Sequence, residues 1–177
     1  MITGSKVRLR DQTIDDARNN YDWQTDDELV RFDAASLLTI TFEQYLAEFI
    51  SILHYPSSTG YRFAIETLEG NHIGNCAYYN MDKVRGEAEL GILIGSRDYW
   101  GKGYGTDAVN TLISHIFRET NLKRIYLKTL DSNTRAQKCF EKCGFTPYGY
   151  RDRDGYSFVL MEMLRKQWQK KQGETES

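Results

Sequence analysis

The sequence predicts an α+β fold on a mixed, mostly antiparallel sheet, and three observations carry that expectation. Strand-like runs at 61–67, 72–80 and 87–95 follow one another through short polar connections, the pattern of antiparallel neighbours. A strand–helix–strand unit over 87–130 places its two strands parallel, because a crossover helix separates them. A final pair of strands spans 145–164 around the turn RDRDG.

The elements follow in order. KVRLR (6–10) alternates and reads as an opening strand. Thr13 is a helix N-cap, with Asp15 and Asp16 in the first turn that follows. In the helix at 41–53, Phe42, Tyr45, Leu46, Phe49, Ile50 and Leu53 recur at spacings of three and four, the mark of an amphipathic helix. YPSSTG (55–60) breaks the chain before the three-strand meander. Later, Ala108, Val109, Leu112, Ile113, Ile116 and Phe117 form one apolar helical stripe. A strand at 123–130 and a helix at 133–143, closed by Gly144, precede the last hairpin. The sequence thus reads as one domain over 6–165, with a polar tail, 166–177, expected to fray.

Composition narrows the function. A chain of 177 residues with 40% hydrophobic and 27% charged residues has the makings of a packed core. A net charge of −2 argues against a general nucleic-acid binder. No run approaches a membrane span, and MITGSKVRLR lacks a secretory apolar segment, so a cytoplasmic protein is expected. Cys76, Cys139 and Cys143 then read as reduced thiols. The i, i+4 pair Cys139 and Cys143 has no companion His/Cys cluster, so no metal is expected. Charge is uneven: residues 11–50 carry ten acids against two arginines, a net of −8 that leaves +6 elsewhere.

The stretch YWGKGYGTDAV (99–109) carries the clearest chemistry. Gly101, Gly103 and Gly105 stand between a strand and a helix start, where backbone N–H groups and the helix dipole together suit a phosphate. Lys102 adds a full positive charge. Neither a Gly-Lys-Ser/Thr loop nor G-x-G-x-x-G occurs, which disfavours a nucleotide-binding domain.

WGKGYG resembles the acyl-CoA signature of the GNAT superfamily of N-acetyltransferases, usually Q/R-x-x-G-x-G/A. Trp100 stands where Gln or Arg is common, as in the branch of ribosomal-protein and spermidine acetyltransferases. DSNTRAQKCFEKCGF (131–145) is similar to the second signature of that superfamily, and motif separation and element order also agree. The resemblance implies a sheet splayed between two parallel strands, with helices on both faces. It implies acetyl-CoA as co-substrate, no metal, and a small-molecule amine or a protein N-terminus as acceptor; homodimers are frequent in the family. A cofactor site would comprise Trp100, Gly101, Lys102, Gly103, Tyr104, Gly105 and Thr106 around the pyrophosphate. Backbone groups of Leu93 and Ile94 would meet the pantetheine arm, and Asn133, Ala136 and Phe140 would line it. Asn133 serves equally as a helix N-cap, and both roles can hold together.

For acetyl transfer an amine must lose a proton, a thioester carbonyl must be polarised, and a thiolate must leave. Glu89 is the expected base, on the face of Leu93, with Glu87 as its rival; a backbone N–H of Leu93 or Ile94 is the expected oxyanion donor. Many relatives place a tyrosine where this chain has Phe140, so the thiolate leaves unaided or with Tyr126, Tyr78, Tyr79 or Ser132. Acids and aromatics of 11–50, including Trp23, Phe32 and Tyr45, suit a cationic acceptor. The other class that fits is a non-catalytic acyl-CoA-binding module.

Overall fold

The computed structural model describes residues 1–176. Eight strands form one sheet in the order β1-β2-β3-β4-β5-β6-β8-β7. They are β1 (Ile2–Thr3), β2 (Val7–Asp11), β3 (Tyr61–Thr67), β4 (His72–Asp82), β5 (Glu87–Ile94), β6 (Arg124–Leu130), β7 (Thr146–Arg153) and β8 (Tyr156–Leu164). Every neighbouring pair is antiparallel except β5 and β6, which the crossover helix α4 (Tyr104–Glu119) makes parallel. The remaining helices are α1 (Ala17–Gln24), α2 (Asp27–Phe32), α3 (Phe42–His54), α5 (Thr134–Cys143) and α6 (Arg165–Glu176).

The apolar stripe of α4 drives the main core: its six stripe residues are all buried against Val7, Leu9, Ile65, Leu90, Ile125 and Leu127 of the sheet. Burial of each large side chain contributes about 1.5–3 kcal/mol. A smaller cluster of Ala17, Tyr45 and Phe49 joins α1 to α3. The Thr41 hydroxyl accepts from the Gln44 N–H and the Gln44 side chain accepts from the Thr41 N–H, which fixes the start of α3.

Beneath α1 lies a polar anchor. Both carboxylate oxygens of Asp16 accept from the Arg10 guanidinium at 2.8 Å, and Arg10 also reaches Glu66 at 2.6 Å. Burial works against the Asp16 charge, but these donors and the Thr13 N–H hold its pKa below the ordinary carboxylate value. Thr13 caps a short 3-10 turn, Ile14–Asp16, ahead of α1.

Three expectations change. The RDRDG turn tightens to Asp154–Gly155, with φ of +51° and +80°, because a two-residue turn of this kind follows the strand twist. Strand β1, too short for a pattern of its own, pairs with β2. Over its described residues the polar tail is helical: it continues α6, whose first residue, Arg165, donates its guanidinium to the carbonyls of Phe117, Thr120 and Leu122 at 2.6–2.7 Å, and Ser177 lies outside the described residues. Trp168 then packs on Phe117, with ring centroids 5.5 Å apart. A helix anchored by one arginine and one tryptophan leaves no amphipathic period to read.

Candidate active site

The site begins where two strands part. Strands β5 and β6 pair at only three positions, Glu87 with Arg124, Ala88 with Ile125 and Glu89 with Tyr126. Beyond them a cleft of about 500 Å³ opens between Leu90–Ile94 and Lys128–Leu130, floored by α5 and closed at one end by the glycine turn. The partly splayed parallel pair is therefore present.

Backbone alternation decides which groups face the cleft. The Gly95 N–H donates to the Ile73 carbonyl of β4, and the register pairs Leu93 with Asn75 two residues on. Since N–H and C=O of one strand residue share a side and alternate along the chain, Leu93 spends its backbone groups on β4. The last β5–β6 bridge spends the Leu90 N–H on Tyr126, the Leu90 carbonyl and both groups of Ile92 turn to the cleft, and the Ile94 carbonyl accepts from the Trp100 indole N–H at 2.7 Å. Of the two expected oxyanion donors, Leu93 and Ile94, the register turns the Ile94 N–H to the cleft; the Leu93 side chain lines the cleft, but its N–H belongs to the ladder.

The glycine turn is built as its composition suggests. Gly101 and Gly103 have φ of +67° and +88°, a region that a side chain would strain. Gly103 is the N-cap of α4, so the first N–H groups of that helix have no carbonyl within it. A Cβ on Gly105 would lie 3.7 Å from Ile94 and 3.8 Å from the Cys139 sulfur, in space the cleft otherwise keeps open. Two expected members point elsewhere. The Lys102 ammonium turns back to the Asp98 carbonyl at 2.6 Å, because that carbonyl lies one turn away. The Tyr104 ring packs edge-on against Tyr99 at 5.1 Å and lies under Lys6. Neither side chain lines the cleft, so each offers the site its backbone alone.

Helix α5 supplies the floor. The Asn133 carbonyl oxygen accepts from the Ala136 N–H at 3.2 Å, and Asn133 also lines the cleft with Ala136 and Phe140. Cys139 adds a thiol to that floor, bonded from the Thr106 hydroxyl at 3.5 Å. The neighbouring Cys143 thiol and the Thr106 hydroxyl lower the Cys139 pKa against the opposing effect of burial, while Cys143, whose Sγ donates to the Thr106 carbonyl at 3.6 Å, is pushed up. Among the described residues no His/Cys/Asp/Glu cluster could hold a metal.

The carboxylates are rearranged relative to expectation. Glu89 is 7% exposed, accepts from Lys128 at 3.0 Å and Asn80 at 3.1 Å, and does not line the cleft. Its partner Lys128 stands 39 residues away in the chain, a pairing no local pattern announces. Glu87 is likewise held by Arg124 at 2.9 Å. Of the tyrosines weighed, Tyr79 lines the cleft, and burial together with the Glu89 charge raises its pKa. Tyr78 packs against the main core, and Tyr126 lies under Arg124 at 4.8 Å. Ser132 is not among the lining residues. The sequence reading did not single out Asp33, at the end of α2, an exposed residue on the lining of the cleft; desolvation by the surrounding protein raises its pKa to about 6 against the pull of Lys128. Its signal was faint: one acid among ten in the segment assigned to the acceptor wall.

Helix α2 is pinned to the glycine turn. The Asp26 and Glu28 carboxylates bind Arg97 at 2.9 and 2.7 Å, and the Arg97 pair draws Asp26 down to about 2. Phe32 meets the Trp100 edge at 5.9 Å, and Arg135 covers the other ring at 3.5 Å.

Residues 6–146 match the family model described as the acetyltransferase (GNAT) domain. The chain is 30% identical over 165 residues to an aminoglycoside N(6')-acetyltransferase type 1 of Klebsiella pneumoniae, covering 84% of this chain and 79% of the relative. It is 28% identical over 154 residues to the spermidine N(1)-acetyltransferase of Escherichia coli, covering 84% and 77%. In structure it resembles spermidine N-acetyltransferase from Vibrio cholerae in complex with CoA and spermine. There the TM-score is 0.82 at 21% identity, over 93% of this chain and 99% of the other.

Proposed function

This chain belongs to the GNAT family of acetyltransferases, and we propose that it moves an acetyl group directly from acetyl-CoA to a primary amine. The observation that carries the reading is the junction of unpaired β5 backbone and the glycine turn in one cleft. Acetyl-CoA supplies the activated acyl group. The open space at Gly105 and the free N–H groups of Gly103, Tyr104, Gly105 and Thr106 suit its pyrophosphate. Backbone groups of Leu90, Ile92 and Ile94 pair with its pantetheine amides as a neighbouring strand would. The Ile92 or Ile94 N–H polarises the thioester carbonyl.

Glu89 serves beneath the cleft rather than in it, neutralising Lys128. The acceptor class is a cationic amine: a polyamine, an aminoglycoside-like amine or a protein N-terminus. Asp33, Phe32 and Trp100 give that end of the cleft one carboxylate and two aromatic rings. Relatives named for aminoglycosides and for spermidine support the same class.

The test is thiol release from acetyl-CoA with spermidine, an aminoglycoside, free amino acids and short peptides. Release with at least one acceptor is expected. Tight acetyl-CoA binding without release on any amine would instead favour the acyl-CoA-binding module.

A further inference from the structure

The acids of residues 11–50 divide by what holds them. Asp16, Asp26 and Glu28 are committed to arginines, and Asp11 accepts from the Tyr61 hydroxyl at 2.6 Å. Asp15, Asp22, Asp27, Asp33, Glu43 and Glu48 have carboxylates that no hydrogen bond or ion pair engages among the described residues, and of these six Asp33 alone lines the cleft, beside Tyr79 and Lys128. Its placement is enforced from both sides. Helix α2 ends at Asp33, whose N–H donates to the Leu29 carbonyl, and Ala34 then takes a φ of +49°. A left-handed alanine costs about 1–2 kcal/mol and persists only where surrounding contacts impose it. Those contacts are the Arg97 pairs at one end of α2 and the Phe32–Trp100 edge at the other.

Resting on the acetyl-transfer reading above, we propose that the Asp33 carboxylate receives the ammonium group of the acceptor and takes its proton. The ammonium gives one proton to Asp33, and its freed lone pair forms the C–N bond as the thioester C–S bond breaks. Tyr79 gives its proton to the departing sulfur, forming a thiol, and takes the second nitrogen proton in its place, and Asp33 returns its proton to solvent. The charged and titratable groups around it are Lys128 and Tyr126 from β6, Tyr79 from β4, Glu89 from β5 and Arg135 from α5. Lys128 would oppose a cation, and Glu89 cancels it at 3.0 Å, leaving Asp33 as the uncompensated carboxylate of the cleft, whose lining cations Arg135, Lys138 and Lys142 come from α5.

The experiment compares wild type, Asp33→Asn and Asp33→Glu in thiol release across pH 5–9, with coenzyme A binding by calorimetry as the control. Wild-type turnover is expected to rise through a limb near pH 6. Asp33→Asn is expected to lose this limb and about 100-fold or more in kcat/KM, within the usual range for a general base. Asp33→Glu should restore part of the rate, and all three should bind coenzyme A alike. An Asp33→Asn protein that keeps both the limb and the rate overturns the proposal alone. A wild type that turns over no amine overturns the transferase reading and this step with it. Loss of coenzyme A binding in Asp33→Asn would also overturn it, since the carboxylate would then be a structural part of the cofactor end.

Discussion

Strand β5 is two strands in one. Its first half, Glu87–Glu89, is closed on both edges: β4 on one side, β6 on the other, with Glu87 and Glu89 each tied to a cation of β6. Its second half, Leu90–Ile94, keeps β4 and loses β6, so the Leu90 carbonyl, both backbone groups of Ile92 and the Ile94 N–H face a cleft. Unpaired backbone inside a protein is costly, and it persists where a ligand completes it. The ion pairs stop the parting of the strands from running down the sheet. One half holds the site together, and the other half is the site.

Breaking the open half should have the largest effect. Gly105→Val puts methyl groups into the gap between Ile94 and Cys139 without any demand for positive φ, so the fold is kept. Filling that space costs about 1–3 kcal/mol of cofactor binding, roughly 5- to 150-fold in Kd by calorimetry. Breaking the closed half should be felt as stability. Arg124→Ala leaves Glu87 and Glu162 facing each other without their shared guanidinium and should cost about 1–3 kcal/mol in urea unfolding.

Glu89→Gln tests how the halves communicate. Lys128 then stands uncompensated, which favours the charged form of Asp33, so the acid limb of the rate profile should move below pH 6 while the amine KM rises. A limb that stays in place would separate Glu89 from the cleft altogether. Asp33 itself carries a linkage sign. Its folded pKa lies above the unfolded value of 3.8, so the folded protein holds the extra proton and loses stability as pH rises from about 4 to 6. Asp33→Asn should therefore raise Tm more at pH 8 than at pH 4. The smallest effect concerns Cys139. Iodoacetamide should modify it ahead of the raised thiols Cys76 and Cys143, and acetyl-CoA should slow that labelling, as peptide mass mapping would record.

Much of this architecture was legible in the residues because it is local. The stripe from Ala108 to Phe117, the meander and the glycine turn each announce themselves within a dozen positions. The closed half of β5 was not legible, since a carboxylate at Glu89 reads the same whether it meets solvent or Lys128. Choosing among Leu93, Ile92 and Ile94 requires knowing which edge of β5 faces β4, a matter of register fixed by Gly95 and Ile73. Asp33 depends on where α2 ends and what pins it, and Arg165 on three carbonyls gathered from residues 117–122.

The strand order has a consequence for synthesis. Strand β6, one wall of the cleft, is bordered on its far side by β8, whose residues 156–164 are made after every other strand of the sheet. Until they leave the ribosome, β6 is an open edge, and the helix ahead of it lacks the arginine that closes its carbonyl end. The nascent chain can therefore assemble its meander and glycine turn early, but this wall of the cleft is completed only once β8 has been made, and until then its edge is a template for pairing with other chains.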